Sequence, residues 1–290
     1  MPKEPANFST AHIWRGPYPI KDAGVDWLTV SCRQSDTQSL FDEIGYTLLH
    51  VEAEAGAKVK PWKFENFEGL NAGMCAVGKR DDMSLIRLSS ACAWSNWRRV
   101  FELATNCSRI DFQVTVRDVP DVDQLILSAH KSALDRVSAM KRPYEVDLRL
   151  SNRRGPTLYL GVRQSQRFGR FYNKFRESKL AYYERCARAE LQVNGKAAIF
   201  AGKVLLQSGR DPHDVIPYIS HFFSRRGVIP CWPDCAAHQI YVPRRRGNAS
   251  SRLRWLRDQV RPALQSLADE GHMEEALEAL GLNDRFTIAR

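Results

Sequence analysis

Apolar and polar residues alternate along several short segments in the first part of the chain. Three segments have the two-residue period of strands with one buried face: VDWLTVSC (25–32), MCAVGKRDDMSLIRLS (74–89, two strands around a turn) and CSRIDFQVTV (107–116). Three others have the period of amphipathic helices: TQSLFDEIGYTLLHVEAEA (37–55), WSNWRRVFELA (94–104) and VDQLILSAHKSALDRV (122–137). This order predicts an α+β fold whose helices pack on one face of a sheet.

Four further strands, and then helices, are predicted after residue 143. The strands are YEVDLRL (144–150), TLYLGVR (157–163), RFGRFYNKF (167–175) and YERCARAELQVN (183–194). The helices are GKAAIFAGKVLLQSG (195–209), PHDVIPYISHFFSRRG (212–227), SSRLRWLRDQVRPALQSLADEG (250–271) and MEEALEALGL (273–282). No internal repeat is evident. We expect an N-terminal arm (1–23), a domain with an antiparallel-rich sheet (24–203) and a helical C-terminal region (204–290).

The strands can be divided into an apolar and a polar side, because alternate residues point to opposite faces of a sheet. The polar sides carry two carboxylates together with basic and hydroxyl groups: Asp111, Arg170, Tyr172, Lys174, Arg188 and Glu190. If these strands share one sheet, the side chains collect on one polar, catalytic face. The alternative is an ordinary solvated face, which is common in antiparallel sheets and carries no chemistry.

The charge of the chain indicates a polyanionic partner. Lys and Arg exceed Asp and Glu by ten, and the pI is about 9.4. Such a surface attracts nucleic acids, although an unoccupied basic surface is the alternative. No apolar run is long enough to span a membrane, and the N-terminus lacks the pattern of a signal peptide. We therefore expect a cytoplasmic protein with no membrane partner.

Seven cysteines, an odd number in a chain of this length, indicate free thiols rather than a disulfide framework. Cys231, Cys235 and His238 have a spacing that could hold zinc, but no second ligand pair lies nearby in the sequence. Plain buried thiols are the alternative that we favour.

The two carboxylates of the polar face could hold a divalent cation. Asp111 and Glu190 provide the oxygen ligands that Mg²⁺ or Mn²⁺ prefers, and such an ion keeps positions open for a substrate phosphate. Glu177 or Asp147 could supply a third oxygen. The sequence alone does not decide between them.

A tyrosine on the same face could attack the phosphorus of a phosphodiester. Tyr172 has Arg170 and Lys174 two residues away on either side, where they could stabilise the phenolate and the transition state. The product would be DNA joined to the tyrosine through its 5′-phosphate. Three other tyrosines are rivals, namely Tyr159, Tyr182 and Tyr183, but their neighbours in the sequence suit this role less well.

Four stretches of the chain resemble the successive motifs of the trans-acting replication initiation factors of rolling-circle plasmids and filamentous phages, a family that includes some relaxases. They are SRIDFQVTV (108–116), PTLYLGVRQS (156–165), RFYNKFRE (170–177) and RAELQVNGKAA (188–198). LRWLRDQVRPALQSL (253–267) is similar to the tail of phage-type members, so the resemblance covers about residues 24–270. The His-hydrophobe-His motif of many rolling-circle initiators is missing.

The resemblance implies a metal-dependent nickase that starts rolling-circle replication at the origin of a phage or plasmid. It implies Tyr172 as the nucleophile and Asp111 and Glu190 as metal ligands. It also implies double- and single-stranded DNA at the origin as partners. A host helicase and a second copy of the chain are further candidate partners, which the sequence does not decide. A conjugative relaxase with the same chemistry, a non-catalytic DNA-binding regulator and a nuclease that uses water are the alternatives.

Several basic residues are candidates for contacts with DNA. The set consists of Lys79, Arg80, Arg163, Arg188, Arg225, Arg226, Arg244, Arg245 and Arg246. Lys79 and Arg80 lie in a predicted hairpin turn, where a charged pair is commonly only solvated.

Overall fold

Ten strands form one sheet in the part of the chain that the structure describes, and every neighbouring pair is antiparallel. The structure is a computed structural model and describes residues 18–33, 37–141, 143–208, 212–228, 231–232 and 256–279. The strands are β1 (Ile20–Arg33), β2 (Val59–Phe64), β3 (Phe67–Ala72), β4 (Cys75–Arg80), β5 (Met83–Ser89), β6 (Asn106–Val116), β7 (Val146–Ser151), β8 (Gly155–Leu160), β9 (Arg167–Asn173) and β10 (Ala187–Asn194).

Eight α-helices accompany these strands in the described residues. They are α1 (Gln38–Glu54), α2 (Ser90–Leu103), α3 (Val122–Ser138), α4 (Lys174–Ser178), α5 (Gly195–Ser208), α6 (Ile216–Ser224), α7 (Arg261–Asp269) and α8 (Met273–Ala279). Short 3₁₀ turns occur at Ala181–Tyr183 and Pro212–Val215, and a π-helical turn at Leu256–Val260.

The sheet repeats one arrangement on both sides of its centre. Its strand order is β2-β3-β4-β5-β1-β6-β10-β9-β8-β7. In each half a long strand is followed by a helix, a four-stranded meander and a second helix, and the last strand of the meander pairs with the long strand. The two long strands, β1 and β6, pair at the centre. The two halves share the order of their elements but no sequence motif, so no internal repeat is evident in the sequence.

Five helices pack on the apolar side of the sheet and form the core. Helix α2 contacts β1, α3 contacts β8 and β9, and α5 and α6 contact β6 and β10, while α1 covers β4 of the first half. Phe112 of β6 contacts the ring of Tyr218, and Phe171 of β9 meets Phe223 of α6 edge to face. Phe112 and Phe171 are almost completely buried. The predicted α+β fold with helices on one face is therefore confirmed.

Two strands of the first half, β2 and β3, are missing from the sequence-based prediction. β2 lies at the edge of the sheet, and Trp62 is its only buried residue. Pro61 lies inside it, and proline is tolerated in a strand only at such an edge or at a bulge. The strand therefore lacks the alternation on which the prediction depends.

Two strands of the second half end earlier than predicted. β8 stops at Leu160, because Gly161 adopts a positive φ of 87° and turns the chain. β9 stops at Asn173, whose side chain accepts a hydrogen bond of 3.0 Å from the backbone N–H of Arg176 and caps α4. Lys174 thus begins a helix. The prediction that it continues the strand beside Tyr172 is wrong.

The chain divides into two units, residues 1–242 and 243–290. The division predicted after residue 203 differs from this one, because residue 203 lies inside α5 and α6 also packs on the sheet. In the second unit the π-helical turn leads directly into α7, and α8 follows. Residues 1–17 of the predicted arm, Cys235, His238 and residues 244–246 lie outside the described residues.

Among the residues that the structure describes, no helix has the length and apolar character required to cross a membrane.

Candidate active site on the polar face of the sheet

Tyr172 and Glu190 meet on adjacent strands of the second half. β9 and β10 pair so that Arg170 lies opposite Glu190 and Tyr172 lies opposite Arg188. The Tyr172 hydroxyl donates a hydrogen bond to Glu190 Oε1, and Arg170 Nη2 donates to Glu190 Oε2. One carboxylate therefore holds both the candidate nucleophile and a guanidinium.

Asp111 lies one strand further along, on β6. It pairs with Gln192, whereas Glu190 pairs with Gln113, so the two carboxylates are diagonal neighbours. Such neighbours lie about 7 to 8 Å apart, within reach of a shared ligand. Arg109 binds Asp111 through two hydrogen bonds, of 2.8 Å from Nε and 2.5 Å from Nη2. The structure thus brings Asp111, Glu190 and Tyr172 together on one face.

This polar face is buried rather than solvated at its centre. The polar side chains with at most 6% of their surface exposed include Asp111, Gln113, Thr115, Arg188, Glu190 and Gln192. The solvated face that was the alternative from sequence is therefore wrong for these strands. Buried charges persist only when they are paired, and here every one of them has a partner of opposite sign.

Asp26 joins this site and is not among the residues predicted from the sequence. A β-bulge between Val25 and Trp27 in β1 breaks the alternation, so Asp26 turns toward Arg188, 3.5 Å away. Arg188 also lies 3.3 Å from Asp22. Two aspartates four residues apart in one strand were the available signal, but strand parity does not predict a bulge.

Burial and charge crowding raise the pKa values of the acidic groups. Burial, followed by the charge of Glu190, raises the pKa of Asp26 from 3.8 to about 6. Burial raises the pKa of Asp111, although Arg109 opposes the shift. Burial and then Glu190 raise the pKa of Tyr172 well above 10. The phenol is therefore protonated in this state and keeps its hydrogen bond to Glu190.

Arg188 lies at the centre of the buried charges and is not exposed to a ligand. Its Nε donates a 2.8 Å hydrogen bond to Thr115, and only 4% of its side chain is exposed. Arg188, a predicted DNA contact, is therefore occupied by partners within the protein, and its contact with DNA stays a prediction. It holds Asp22 and Asp26, and its positive charge opposes the rise in the pKa of Tyr172 that burial and Glu190 cause.

Lys174 and Glu177 pair with each other on α4, with 2.7 Å between Nζ and Oε2. The Lys174 ammonium lies 5.9 Å from the centre of the Tyr172 ring and 5.5 Å from that of Tyr183. Within the described residues no group of three or more His, Cys, Asp or Glu is placed to hold a metal ion. The predicted set of Asp111, Glu190 and Glu177 is therefore not formed in this arrangement. Asp147, the alternative, binds Arg149 at 2.9 Å.

The rival tyrosines lie in different places. Tyr159 stacks on Phe168 with 5.7 Å between ring centres, which fits its predicted place on the sheet surface. Tyr183 meets Tyr182 edge to face, and its hydroxyl lies 3.4 Å from Arg188 Nη2. Tyr183 therefore lies at the border of the buried site, which its sequence neighbours do not indicate.

The other predicted basic residues that the structure describes lie at several places on the first unit. Lys79 pairs with Asp42 of α1 at 3.1 Å, and Arg80 covers the ring of Phe67. Arg225 and Arg226 follow α6, on the side of the helices, and burial lowers the pKa of Arg226 to about 10. Arg163 is exposed in the loop after β8, beside the polar face.

The second half of the sheet matches the model of a known protein family. Residues 106–223 match the family model described as replication initiation factor. The match runs from the start of β6 into the last turn of α6, and it includes Asp111, Tyr172 and Glu190. The resemblance stated from the sequence motifs is confirmed over this segment. Residues 20–105, the first half of the sheet, lie outside the match.

The chain was also compared with curated proteins and with solved structures. A search among proteins with curated descriptions finds no match. Among solved structures, a rolling-circle replication initiator protein from Geobacillus stearothermophilus is similar, with 18% sequence identity and a TM-score of 0.48. The likeness covers 82% of this chain and 96% of that chain.

Proposed function

We propose that this protein starts rolling-circle replication of a phage or plasmid by nicking one DNA strand at an origin with Tyr172. The observation that carries the proposal is the hydrogen bond from the Tyr172 hydroxyl to Glu190, inside the segment that matches the replication initiation factors. A tyrosine that donates to a buried carboxylate has the arrangement of a nucleophile with its base.

The chemistry follows from the contacts of Tyr172. Glu190 accepts the phenolic proton as the tyrosine oxygen attacks the phosphorus of the scissile phosphate. The bond from phosphorus to the 3′ oxygen breaks, the 3′ oxygen leaves as a hydroxyl after taking a proton from water, and the 5′-phosphate stays on Tyr172. Arg170, held on Glu190, and Lys174, beside the tyrosine ring, carry positive charge at the place where the phosphorane becomes more negative. The phosphotyrosine bond retains the energy of the cleaved linkage.

We propose that this face binds a divalent cation once its carboxylates are released from their arginines, although the described residues form no ready-made metal site in the structure. Burial, and then the negative charges of Glu190 and Asp111, raise the pKa of Asp26 to about 6. A cation would offset those negative charges. We propose Asp111 and Glu190 as the oxygen donors for Mg²⁺ or Mn²⁺, which would polarise the phosphate when bound. Arg109 and Arg170 hold these carboxylates in the structure; a cation would replace both guanidinium groups there and leave Arg170 free to contact the scissile phosphate. Origin DNA is the proposed substrate, and the helicase and the second copy of the chain stay predictions.

The test compares the wild type with Tyr172→Phe on supercoiled DNA that carries the candidate origin of its replicon. Reactions contain Mg²⁺, Mn²⁺ or a chelator and are resolved on denaturing gels. We expect a nick and a covalent protein–DNA adduct that disappear in Tyr172→Phe and in chelator. Tyr159→Phe serves as the matched control, since its ring lies outside the Glu190 hydrogen bond and should nick normally.

Other outcomes identify other functions. A nick that survives Tyr172→Phe without an adduct would indicate a nuclease that uses water. An adduct that moves to another tyrosine, for example Tyr183, would keep the reaction class and change the nucleophile. Binding without a nick under any metal would indicate a DNA-binding regulator and overturn the proposal.

A further inference from the structure

A column of aromatic rings and guanidinium groups runs along the polar face from β6 in the second half, over β1 and β5, to the edge strand β2 of the first half. The guanidinium of Arg109 lies 4.6 Å from the ring centre of Trp27, and that of Arg87 lies 5.4 Å from Trp27 and 4.9 Å from Trp62. Phe64 then stacks on Trp62, with 5.8 Å between ring centres and 13° between planes. We call these five residues the aromatic column.

The aromatic column forms one wall of an open cleft of about 480 Å³. The opposite side includes the loop residues Arg163 and Gln164, and Glu65 is the only acidic residue of the lining. Among the described residues neither Arg87 nor Arg163 forms an ion pair with a carboxylate. Phe64 ends the column with 38% of its surface exposed. The cleft therefore offers an exposed aromatic ring and two arginines whose charge no carboxylate neutralises.

The cleft borders the candidate active site through two of its lining residues, Arg109 and Gln192. At the end of the aromatic column opposite Phe64, Arg109 binds Asp111 with two hydrogen bonds. Gln192, which lines the cleft, lies opposite Asp111 in the sheet, and its Nε2 donates to the backbone oxygen of Arg163 at 3.3 Å. A strand bound along the cleft would reach the carboxylates without leaving the polar face.

We propose that this cleft binds unpaired bases of the DNA strand next to the scissile phosphate. Flat aromatic rings recognise bases that are free of a duplex stack, and arginines beside them neutralise the phosphates between those bases. A duplex would hide its base faces, and a protein partner would meet few carboxylates or apolar pockets here. The proposal rests on the proposed function for the identity of the ligand, but the aromatic rings of the cleft, Trp27, Trp62 and Phe64, lie outside the family match.

The test measures the affinity of the full chain for labelled oligothymidylate of about 12 nucleotides, a length within the range that single-strand clefts cover. Fluorescence anisotropy is recorded in chelator, so that no strand is cut. Phe64→Ala should weaken binding about fivefold to a hundredfold, since one stacked base is worth about 1–3 kcal/mol and 1.4 kcal/mol is tenfold. Phe64→Tyr keeps a ring and should bind as the wild type does. Affinity for duplex DNA should change little.

An abasic oligonucleotide of the same length separates base stacking from charge. The wild type should bind it more weakly than oligothymidylate, and Phe64→Ala should bring no further loss. Arg163→Gln should lower the salt dependence of binding on both oligonucleotides by about one unit of slope. Arg99→Gln, at an exposed position on α2, is the charge-matched control, and Tyr46→Ala on α1 is the control for loss of an exposed ring.

The results are independent of the chemistry of Tyr172. If Phe64→Ala binds oligothymidylate as the wild type does, with an unchanged thermal midpoint, the aromatic column only stabilises the sheet and the proposal is wrong. An equal loss on the abasic oligonucleotide would also overturn it. If the wild type shows no nick but the Phe64 effect is present, the proposed function fails while the binding site stands.

Discussion

The two halves of the sheet have the same order of elements but different side chains on the polar face. On the third strand of the second meander, β9, that face carries Arg170 and Tyr172. On the corresponding strand of the first half, β4, it carries Ala76 and Gly78, which pair with Arg87 and Leu85 of β5. One half therefore holds buried acid, base and hydroxyl groups, and the other leaves room for large rings.

The small residues of the first half make that room possible. Trp62 of β2 lies opposite Gly69 of β3, which lies opposite Gly78 of β4. A methyl group on Gly78 would lie 3.1 Å from the Trp62 ring, and one on Gly69 would meet the backbone oxygen of Val77 at 2.0 Å. The same topology thus supports chemistry in one half and a surface for stacking in the other, and each can be altered separately.

Of the variants considered, Glu190→Gln should have the largest effect: it should impair nicking by the second half of the sheet and leave binding at the aromatic column nearly unchanged. The amide keeps the shape of the carboxylate but cannot take the proton of Tyr172, so nicking at saturating DNA should fall about 10²- to 10⁴-fold. Arg170 loses its partner but has 32% of its side chain exposed and can be solvated. Binding of oligothymidylate should stay within about twofold. Phe64→Ala should show the reverse pattern, weaker binding with nearly normal nicking at saturation, and a shared defect in both assays would contradict this separation.

The alternation of side chains along strands predicts much of the candidate active site in the second half of the sheet and little of the first half, for physical reasons. Asp111, Tyr172 and Glu190 come together because the pairings of β6, β10 and β9 have no bulge, so alternation holds along them. Alternation fails for Asp26, where β1 has a bulge. It also fails for Lys174, because the side chain of Asn173 starts a helix.

The first half was harder to predict because its features come from pairings distant in sequence. Trp27 and Trp62 lie 35 positions apart and meet only through Arg87 of a third strand. The edge strand β2 contains a proline and one buried residue, so its pattern did not suggest a strand. The order of strands, and therefore the duplication of the arrangement, has no local signal at all.

A smaller effect is expected from the burial of Asp26 close to Glu190. Its pKa is raised from 3.8 to about 6, so the folded protein binds the proton more tightly than the unfolded chain. This contribution to the free energy of unfolding is present below about pH 4 and is lost as the pH rises through about 6. An amide cannot ionise, so Asp26→Asn should not lose stability as the pH rises. At pH 7 its free energy of unfolding should exceed that of the wild type by about 1 to 3 kcal/mol, reduced by the lost attraction between Asp26 and Arg188.

Urea unfolding of the wild type and of Asp26→Asn between pH 4 and pH 7, in chelator, measures this difference. The gap between the two proteins should widen with pH. Asp42→Asn is the control, since Asp42 pairs with Lys79 on the helix side, away from the polar face. A gap that stays constant from pH 4 to pH 7 would mean that the charge of Asp26 is fully compensated by Arg188.

The smallest effect is expected from Gly78→Ala, which makes the first half resemble an ordinary sheet. Gly78 has no positive φ, so alanine fits its backbone and gains about 0.4 to 1 kcal/mol from the unfolded chain. The new methyl group must push the Trp62 ring by a few tenths of an ångström, which costs about 1 to 3 kcal/mol. We expect a net loss of about 1 kcal/mol in the free energy of unfolding. Because Phe64 stacks on Trp62, single-strand affinity should fall slightly while nicking at saturation stays normal, whereas a loss of nicking without a loss of affinity would show that Trp62 supports the active half instead.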